Sequence, residues 1–142
     1  MTRTGQALMA GRAQAPALVL AEPLSFWGGI DVASGRVIDR SHPDLGAVVT
    51  GTILVMPGGR GSSSSSSILA ECLRLGTGPA AIVLSIPDPI LTVGAIVAQT
   101  LYNAGCPIVV CPIDGLRTGA VLRVEATADG EATVTTAPCS EA

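Results

Sequence analysis

The chain of 142 residues contains no lysine; all eight of its basic residues are arginine. That absence removes the lysine-bearing phosphate loop, G-x-x-x-x-G-K-[ST], from consideration. Aromatic residues are as scarce: Phe26, Trp27 and Tyr102 are the whole set. A core must therefore be assembled from Val, Ile, Leu and Ala, and platforms for stacking nucleic-acid bases are missing. Eight scattered arginines against eleven acidic residues give a net charge of -3. With no basic stripe, nucleic acid is not an expected partner. Charged residues make up 13% of the chain and hydrophobic ones 48%. One domain of this size, residues 1–142 with a core over about 17–136, must then show a small neutral surface or be covered by another protein.

Long unbroken apolar runs are also lacking. Twenty-five uncharged residues run from Pro89 to Ile113, enough to span a bilayer. Pro89, Gly94, Gln99, Asn103, Gly105, Pro107 and Pro112 interrupt them, and the stretch divides at Gly105 into a helix and a short strand. No membrane span is expected. The N-terminal segment has two arginines and no continuous apolar core before Ala15, unlike a secretory signal, so the expected location is cytoplasmic. Cys72, Cys106, Cys111 and Cys139 lie 34, 5 and 28 positions apart. That is not the close paired spacing of a zinc or iron–sulfur site, so no metal is expected on this chain.

What the sequence does have is PGGRGSSSSSSILAECLRLG, Pro57 to Gly76, with six consecutive serines. The apolar, β-branched run Gly51-Thr-Ile-Leu-Val-Met56 before it reads as a buried strand, and the strand leading into the serine turn extends over Val48 to Met56. Behind it, Ile68, Leu69, Cys72, Leu73 and Leu75 recur at helical spacing until Gly76, a C-cap. The serines therefore sit where a strand gives way to a helix, a place where free N–H groups and the helix dipole favour an anion. A flexible serine linker is the plainer alternative. Against it, the run is short and both flanks are apolar elements that need a tight connection. Arg60 has the planar fork that holds a carboxylate or phosphate.

Taken in order, residues 1 to about 15 read as a loose or partner-bound leader, and Ala17 to Ala21 as a first strand. Gly28 and Gly29, after Phe26-Trp27, signal an unusual backbone or the close approach of a second surface. Asp31 to Gly35 reads as a turn and Arg36 to Ile38 as a short strand. The single histidine, His42, lies in a loop, where a solvated or capping residue is the default and a ligand or catalytic role the alternative. Ala80 to Leu84 is a strand buried on both faces. Thr92 is the candidate cap of a helix with apolar positions Val93, Ile96, Val97, Thr100 and Leu101, ending at Gly105. Cys106 and Cys111 bracket the strand Pro107 to Val110 with opposite parity, so they should face different sides. Val121 to Ala126 and Ala132 to Thr136 flank Asp129-Gly130, the signature of a type I′ hairpin. The sum is an α/β fold, about two main helices among roughly seven or eight strands in mixed sheets, layered sheet against helix.

The segments EPLSFWGGID, GRVIDRSHP and GTILVMPGGRGSSSSS, in that order, resemble the small subunit or swivel domain of the aconitase X family over about Leu18 to Val124. The resemblance implies a swivelling β/β/α domain that closes over a larger subunit carrying an iron–sulfur cluster, and none bound by this chain alone. It also implies dehydration of a small hydroxy acid, cis-3-hydroxy-L-proline or mevalonate 5-phosphate. The family's catalytic serine follows G-[RK]-G, which lands on Ser62. Arg60, where archaeal members have lysine, and the unbroken serine run lean toward the hydroxyproline branch.

Such a reaction needs a base beside the carboxylate and a Lewis acid on the departing hydroxyl, which the partner's iron would supply. Serine is a weak base at its free pKa, so its alkoxide must be stabilised. Backbone N–H groups over Gly61 to Ser64, the helix dipole and Arg60 would act in that sense, with Ser63 and Ser64 as candidate carboxylate holders. Trp27, Gly28 and Gly29 form a candidate interface. Two other classes stay open: a phosphocarrier-like domain with His42 as acceptor, and a binding subunit that only shapes the partner's site.

Overall fold

The computed structural model describes residues 2–137. Nine strands and three helices follow in the order β1 (Thr2–Met9), β2 (Gly11–Val19), α1 (Phe26–Gly29), β3 (Ile30–Asp31), β4 (Arg36–Val37), β5 (Ile53–Met56), α2 (Ser65–Leu75), β6 (Ala81–Leu84), α3 (Pro89–Tyr102), β7 (Ile108–Val110), β8 (Val121–Ala126) and β9 (Glu131–Thr136). Seven of the strands close a barrel in the order β1-β7-β6-β5-β2-β8-β9, and β3 and β4 form a separate antiparallel pair. Within the barrel β2, β5, β6 and β7 are mutually parallel neighbours, and the remaining pairings are antiparallel.

The strands β5 and β6 have no alternating pattern because both their faces are covered. Ile53, Val55, Ala81 and Val83 point into the barrel with Leu122, Val124 and Val134. Leu54, Met56, Ile82 and Leu84 point outward under α2 and α3, against Leu69, Cys72, Leu91 and Ala95. Two cores thus share one set of strands, giving sheet, sheet and helix layers. Cys106 belongs to the helix-side core and Cys111 to the barrel interior, as their opposite parity predicts. Cys139 lies outside the described residues.

Several expectations are corrected. The supposed leader is β1 and the first half of β2. Its polar residues sit on a barrel exterior, and its hydrogen bonds go to β7, β8 and β9, partners far away in sequence. Of Val48 to Met56 only Ile53–Met56 is strand, because Gly51 takes φ +69° and turns the chain first. The helix of α3 starts at Pro89 and is capped by Asp88, whose side chain accepts from the N–H groups of Ile90 and Leu91; Thr92 lies inside it. It ends at Asn103 in the left-handed conformation, two residues before Gly105.

The buried face of α3 is Leu91, Gly94, Ala95 and Ala98, not the larger apolar set, of which Val93, Ile96 and Leu101 are exposed. Small residues face inward because α2 comes close: a methyl group on Gly94 would press on the Ser66 backbone and Leu69. On α2, Leu75 is likewise exposed. The β8–β9 connection is Thr127 to Gly130, in which only Gly130 has positive φ. It is therefore not a type I′ turn, which needs two such residues. Among the described residues no helix is long and apolar enough to cross a membrane.

Candidate active-site cleft

Because β2, β5 and β6 are parallel, the segments leaving their carboxyl ends share one rim of the barrel, the place where α/β sheets gather ligands. Those segments are Leu20 to Ser25, Pro57 to Ser64 and Ser85 to Asp88. They enclose a cleft of about 260 Å³ lined by Leu24, Phe26, Gly59, Arg60, Gly61, Ser62, Ser65 and the stretch Ile86 to Leu91. The three are tied together through backbone groups. Leu24 forms a parallel bridge to Gly59, and the N–H groups of Ser85 and Ile86 both donate to the Pro57 carbonyl at 3.2 Å. Glycine is required at two points of this seam. A methyl group on Gly59 would overlap the Asp88 carboxylate, and one on Gly61 would overlap the Ser25 hydroxyl. Gly61 also takes φ +101°, a conformation side chains rarely accept.

The serine run is the first turn of α2 and its approach, not a tether. The N–H groups of Ser65, Ser66 and Ser67 donate to the carbonyls of Ser62, Ser63 and Ser64 at 3.0, 3.2 and 3.1 Å, a tightened three-residue winding. Individual hydroxyls have separate tasks. Ser65 is buried and accepts from the Trp27 N–H at 3.0 Å, and Ser66 donates to the Ile90 carbonyl at 2.6 Å. Ser62 lines the cleft, and its Oγ accepts from the Ser64 N–H at 3.0 Å. Ser64 is the N-cap and makes no capping bond with its own side chain. Ser63 is exposed, and neither it nor Ser64 lines the cleft. Among the described residues the N–H groups of Gly61, Ser62 and Ser63 donate to no protein acceptor.

Arg60 lines the cleft with a side chain 53% exposed, its Nη2 lying 3.6 Å from Asp39 Oδ2. The Asp39 carboxyl is held below the usual carboxylate range. The hydroxyl and then the N–H of Ser41 act most strongly, and the charge of Arg60 adds to them. Trp27 stands 55% exposed beside the cleft, and Gly28 takes φ +79° while Gly29 is buried. His42 is neither solvated nor in the cleft. It is 4% exposed, its Nδ1 accepts from the Asp44 N–H at 3.0 Å, and its Nε2 donates to the Glu22 carbonyl at 3.1 Å. The tautomer follows from the Asp44 N–H, which can only donate.

Sequence reasoning missed Asp39, Asp88, Ser25 and Ser65. For Asp88 the signal is there: in Pro87-Asp-Pro89 the acid precedes a proline suited to a first helical position. Ser65 differs from its neighbours only through Trp27, which no local pattern shows. Among the described residues the cysteines do not fit an iron–sulfur cluster. Cys72, Cys106 and Cys111 are buried, and Cys106 and Cys111 face opposite sides of one strand. Burial raises all three thiols, that of Cys106 to about 12, the opposite of a thiolate ligand's requirement.

Residues 2–140 match the family described as the aconitase X swivel domain. The chain belongs to that family. This swivel domain is 50% identical over 101 residues to a cis-3-hydroxy-L-proline dehydratase of Pseudomonas aeruginosa, a match covering 71% of this chain and 17% of that protein. It is 42% identical over 106 residues to the phosphomevalonate dehydratase small subunit of Methanothermobacter thermautotrophicus, covering 75% of this chain and 76% of that one. The crystal structure of Thermococcus kodakaraensis aconitase X in its holo-form superposes with a TM-score of 0.83 at 30% identity, over 95% of this chain and 98% of that one. The β/β/α swivel fold is therefore that of the family. The swivel domain spans about a sixth of the length of the hydroxyproline dehydratase it matches.

Proposed function

We propose that this swivel domain is the small subunit of a heteromeric hydro-lyase and supplies the base that dehydrates a small hydroxy acid, cis-3-hydroxy-L-proline in the first place. The observation that carries the reading is the placement of Ser62. Its hydroxyl lies on the cleft wall at the positive end of α2, receives the Ser64 N–H, and shares the cleft with Arg60. A donor aimed at the oxygen and the helix dipole both stabilise an alkoxide, which is what a serine base needs. The substrate carboxylate is held by Arg60 and the free N–H groups of Gly61 and Ser62, and Ser62 Oγ takes the proton from the carbon beside it. That electron pair becomes the new carbon–carbon double bond as the bond to the hydroxyl breaks. Over the cycle the proton leaves with the hydroxyl as water.

The substrate preference rests on charge. Among the described residues Arg60 is the single cation lining the cleft and Asp88 its single anion, a setting suited to a zwitterionic amino acid with one carboxylate. Mevalonate 5-phosphate brings a further, doubly charged group with no second cation to meet it. That second substrate is favoured by the relatives of similar length, which are named phosphomevalonate dehydratase small subunits. The iron–sulfur cluster, which the three described thiols do not fit, is assigned to the large subunit. Exposed Trp27, Ile86, Val93, Ile96 and Leu101 give that subunit an apolar surface to cover. A phosphocarrier role is disfavoured because both ring nitrogens of His42 are engaged. The test is to purify the chain with its large subunit and assay water elimination from both acids. Turnover of hydroxyproline, abolished by Ser62→Ala, supports the reading; turnover of mevalonate 5-phosphate alone changes the substrate, and activity of the large subunit by itself removes the catalytic role.

A further inference from the structure

The loop from Asp39 to Gly46 has no part in the chemistry above, yet it is fastened by several hydrogen bonds. The His42 ring is buried between the Glu22 carbonyl and the Asp44 N–H. The His42 N–H donates to the Asp39 carbonyl at 3.0 Å, and Asp44 Oδ2 accepts from the Ala21 N–H at 2.9 Å. Each bond fixes the loop to itself or to the Ala21–Glu22 segment, which continues into Leu24 at the cleft wall. At the loop's leading end Asp39 is clamped in turn. Its Oδ1 accepts from both the N–H and the hydroxyl of Ser41, at 2.9 and 2.7 Å, which leaves Oδ2 facing Arg60.

The two partners of this ion pair are thus unequal. Asp39 is a fixed anion. Arg60 has a backbone set by its glycine neighbours, but its side chain is more than half exposed and has Asp39 as its single ion-pair partner among the described residues. A long exposed side chain loses considerable rotamer freedom when it binds a ligand, and a guanidinium with five donors can give one edge to a carboxylate and keep the others free. We propose that Asp39 is a positioning residue: it holds one edge of the Arg60 guanidinium at the rim so that the remaining N–H groups face the cleft and receive the substrate carboxylate. Asp39 does not touch substrate; it acts through Arg60. The charge that His42 and Ser41 lock in place is therefore a specificity device for acids, and the inference rests on the assignment of Arg60 to the substrate carboxylate.

The experiment is a double-mutant cycle on the reconstituted heteromer with Asp39→Asn, Arg60→Gln and the pair, read as KM and kcat for the hydroxy acid that the complex turns over. Asp39→Asn should raise KM by about tenfold, the factor that one ordinary charge-assisted contact carries, with kcat within about threefold. In the Arg60→Gln background the same change should do almost nothing, whereas a structural role would add in both backgrounds. A second readout needs no activity: carbon-13 titration of the Asp39 carboxyl in the full chain, which should move upward in Arg60→Gln. Additive KM effects, or an Asp39 titration indifferent to Arg60, overturn the inference. Ser62→Ala measured alongside keeps the two readings apart. If it retains turnover, the catalytic reading fails while the titration still judges the pair; if it abolishes turnover and the cycle is additive, the positioning inference alone fails.

Discussion

Two helices begin side by side at this cleft, and they begin in opposite ways. At α3 the orphan N–H groups are consumed at once. Asp88 Oδ1 accepts from Ile90 and Leu91, the Asp88 carbonyl accepts from Thr92, and Pro89 has no N–H to satisfy. At α2 the N-cap side chain does nothing for the helix, the first turn closes on the carbonyls of Ser62, Ser63 and Ser64, and in the turn before it the N–H groups of Gly61, Ser62 and Ser63 have no protein acceptor among the described residues. Both starts follow a parallel strand of the same sheet and are joined where the Ser66 hydroxyl donates to the Ile90 carbonyl. The difference is therefore not one of fold position. The closed start secures structure, and in the proposed reading the donors left before the other serve a ligand.

The sharpest way to break the comparison is Ser62→Ala. It should leave melting temperature and assembly with the large subunit intact and lower kcat by on the order of a hundredfold or more, as the loss of a base does. Ser67→Ala, one turn further on, should change kcat by less than about twofold. Full turnover in Ser62→Ala with loss at a later serine would move the base along the run. Next in size is Trp27→Ala. Its half-exposed ring should weaken binding to the large subunit by roughly 2 kcal/mol, the scale of an interface anchor, while the chain's own melting temperature changes little. Titration calorimetry beside a thermal melt reads both, and the reverse pattern would make Trp27 a packing residue.

At the closed start, Asp88→Ala removes a cap and should cost about 1 kcal/mol of stability, a drop of roughly 2–8 °C in melting temperature, with a smaller effect on kcat than Ser62→Ala. A cap loss that leaves stability untouched would show that α3 is not held in this way. The smallest expected effect concerns acid. The Asp39 carboxyl lies below its ordinary value in the folded chain, so whatever it contributes is fully present above about pH 4 and is lost only as pH falls through the folded value. KM should therefore be flat from pH 5 to 8 as far as this group is concerned. An inflection near pH 6 that disappears in Asp39→Asn would contradict the assignment.

The start of α2 was legible in the sequence because local chemistry announces it: an apolar run, glycines, then helical spacing closed by Gly76. The same holds for β6 and for the opposite facing of Cys106 and Cys111, where strand parity is enough. What was not legible depends on distant partners. Thr2–Met9 has no apolar stripe of its own and is a strand because β7 and β9 offer it hydrogen bonds. The inward face of α3 misled because the rule that large apolar residues go inside fails where a neighbouring helix comes close enough to demand glycine and alanine. Within the site, Ser62, Arg60 and Gly61 could be named from the motif. Asp39 and the buried state of His42 could not, since both depend on a loop folding back on the segment after β2.

Closing the barrel with β1 has a consequence for how the chain comes to be folded. Thr2 to Gln6 pair with Glu131 to Thr135, so one of the two neighbours of the earliest described strand is the last described strand to be synthesised. During translation β2 can pair with β5 and β1 with β7, so that β2, β5, α2, β6, α3 and β7 can already associate, while one edge of β1 and one of β2 wait for β9 and β8. The half that carries the serine turn is thus the half able to form early, and the barrel is sealed around it late. A slow refolding phase should report on that seal, and mutations in β1 should lengthen it without disturbing the order in which the helices dock.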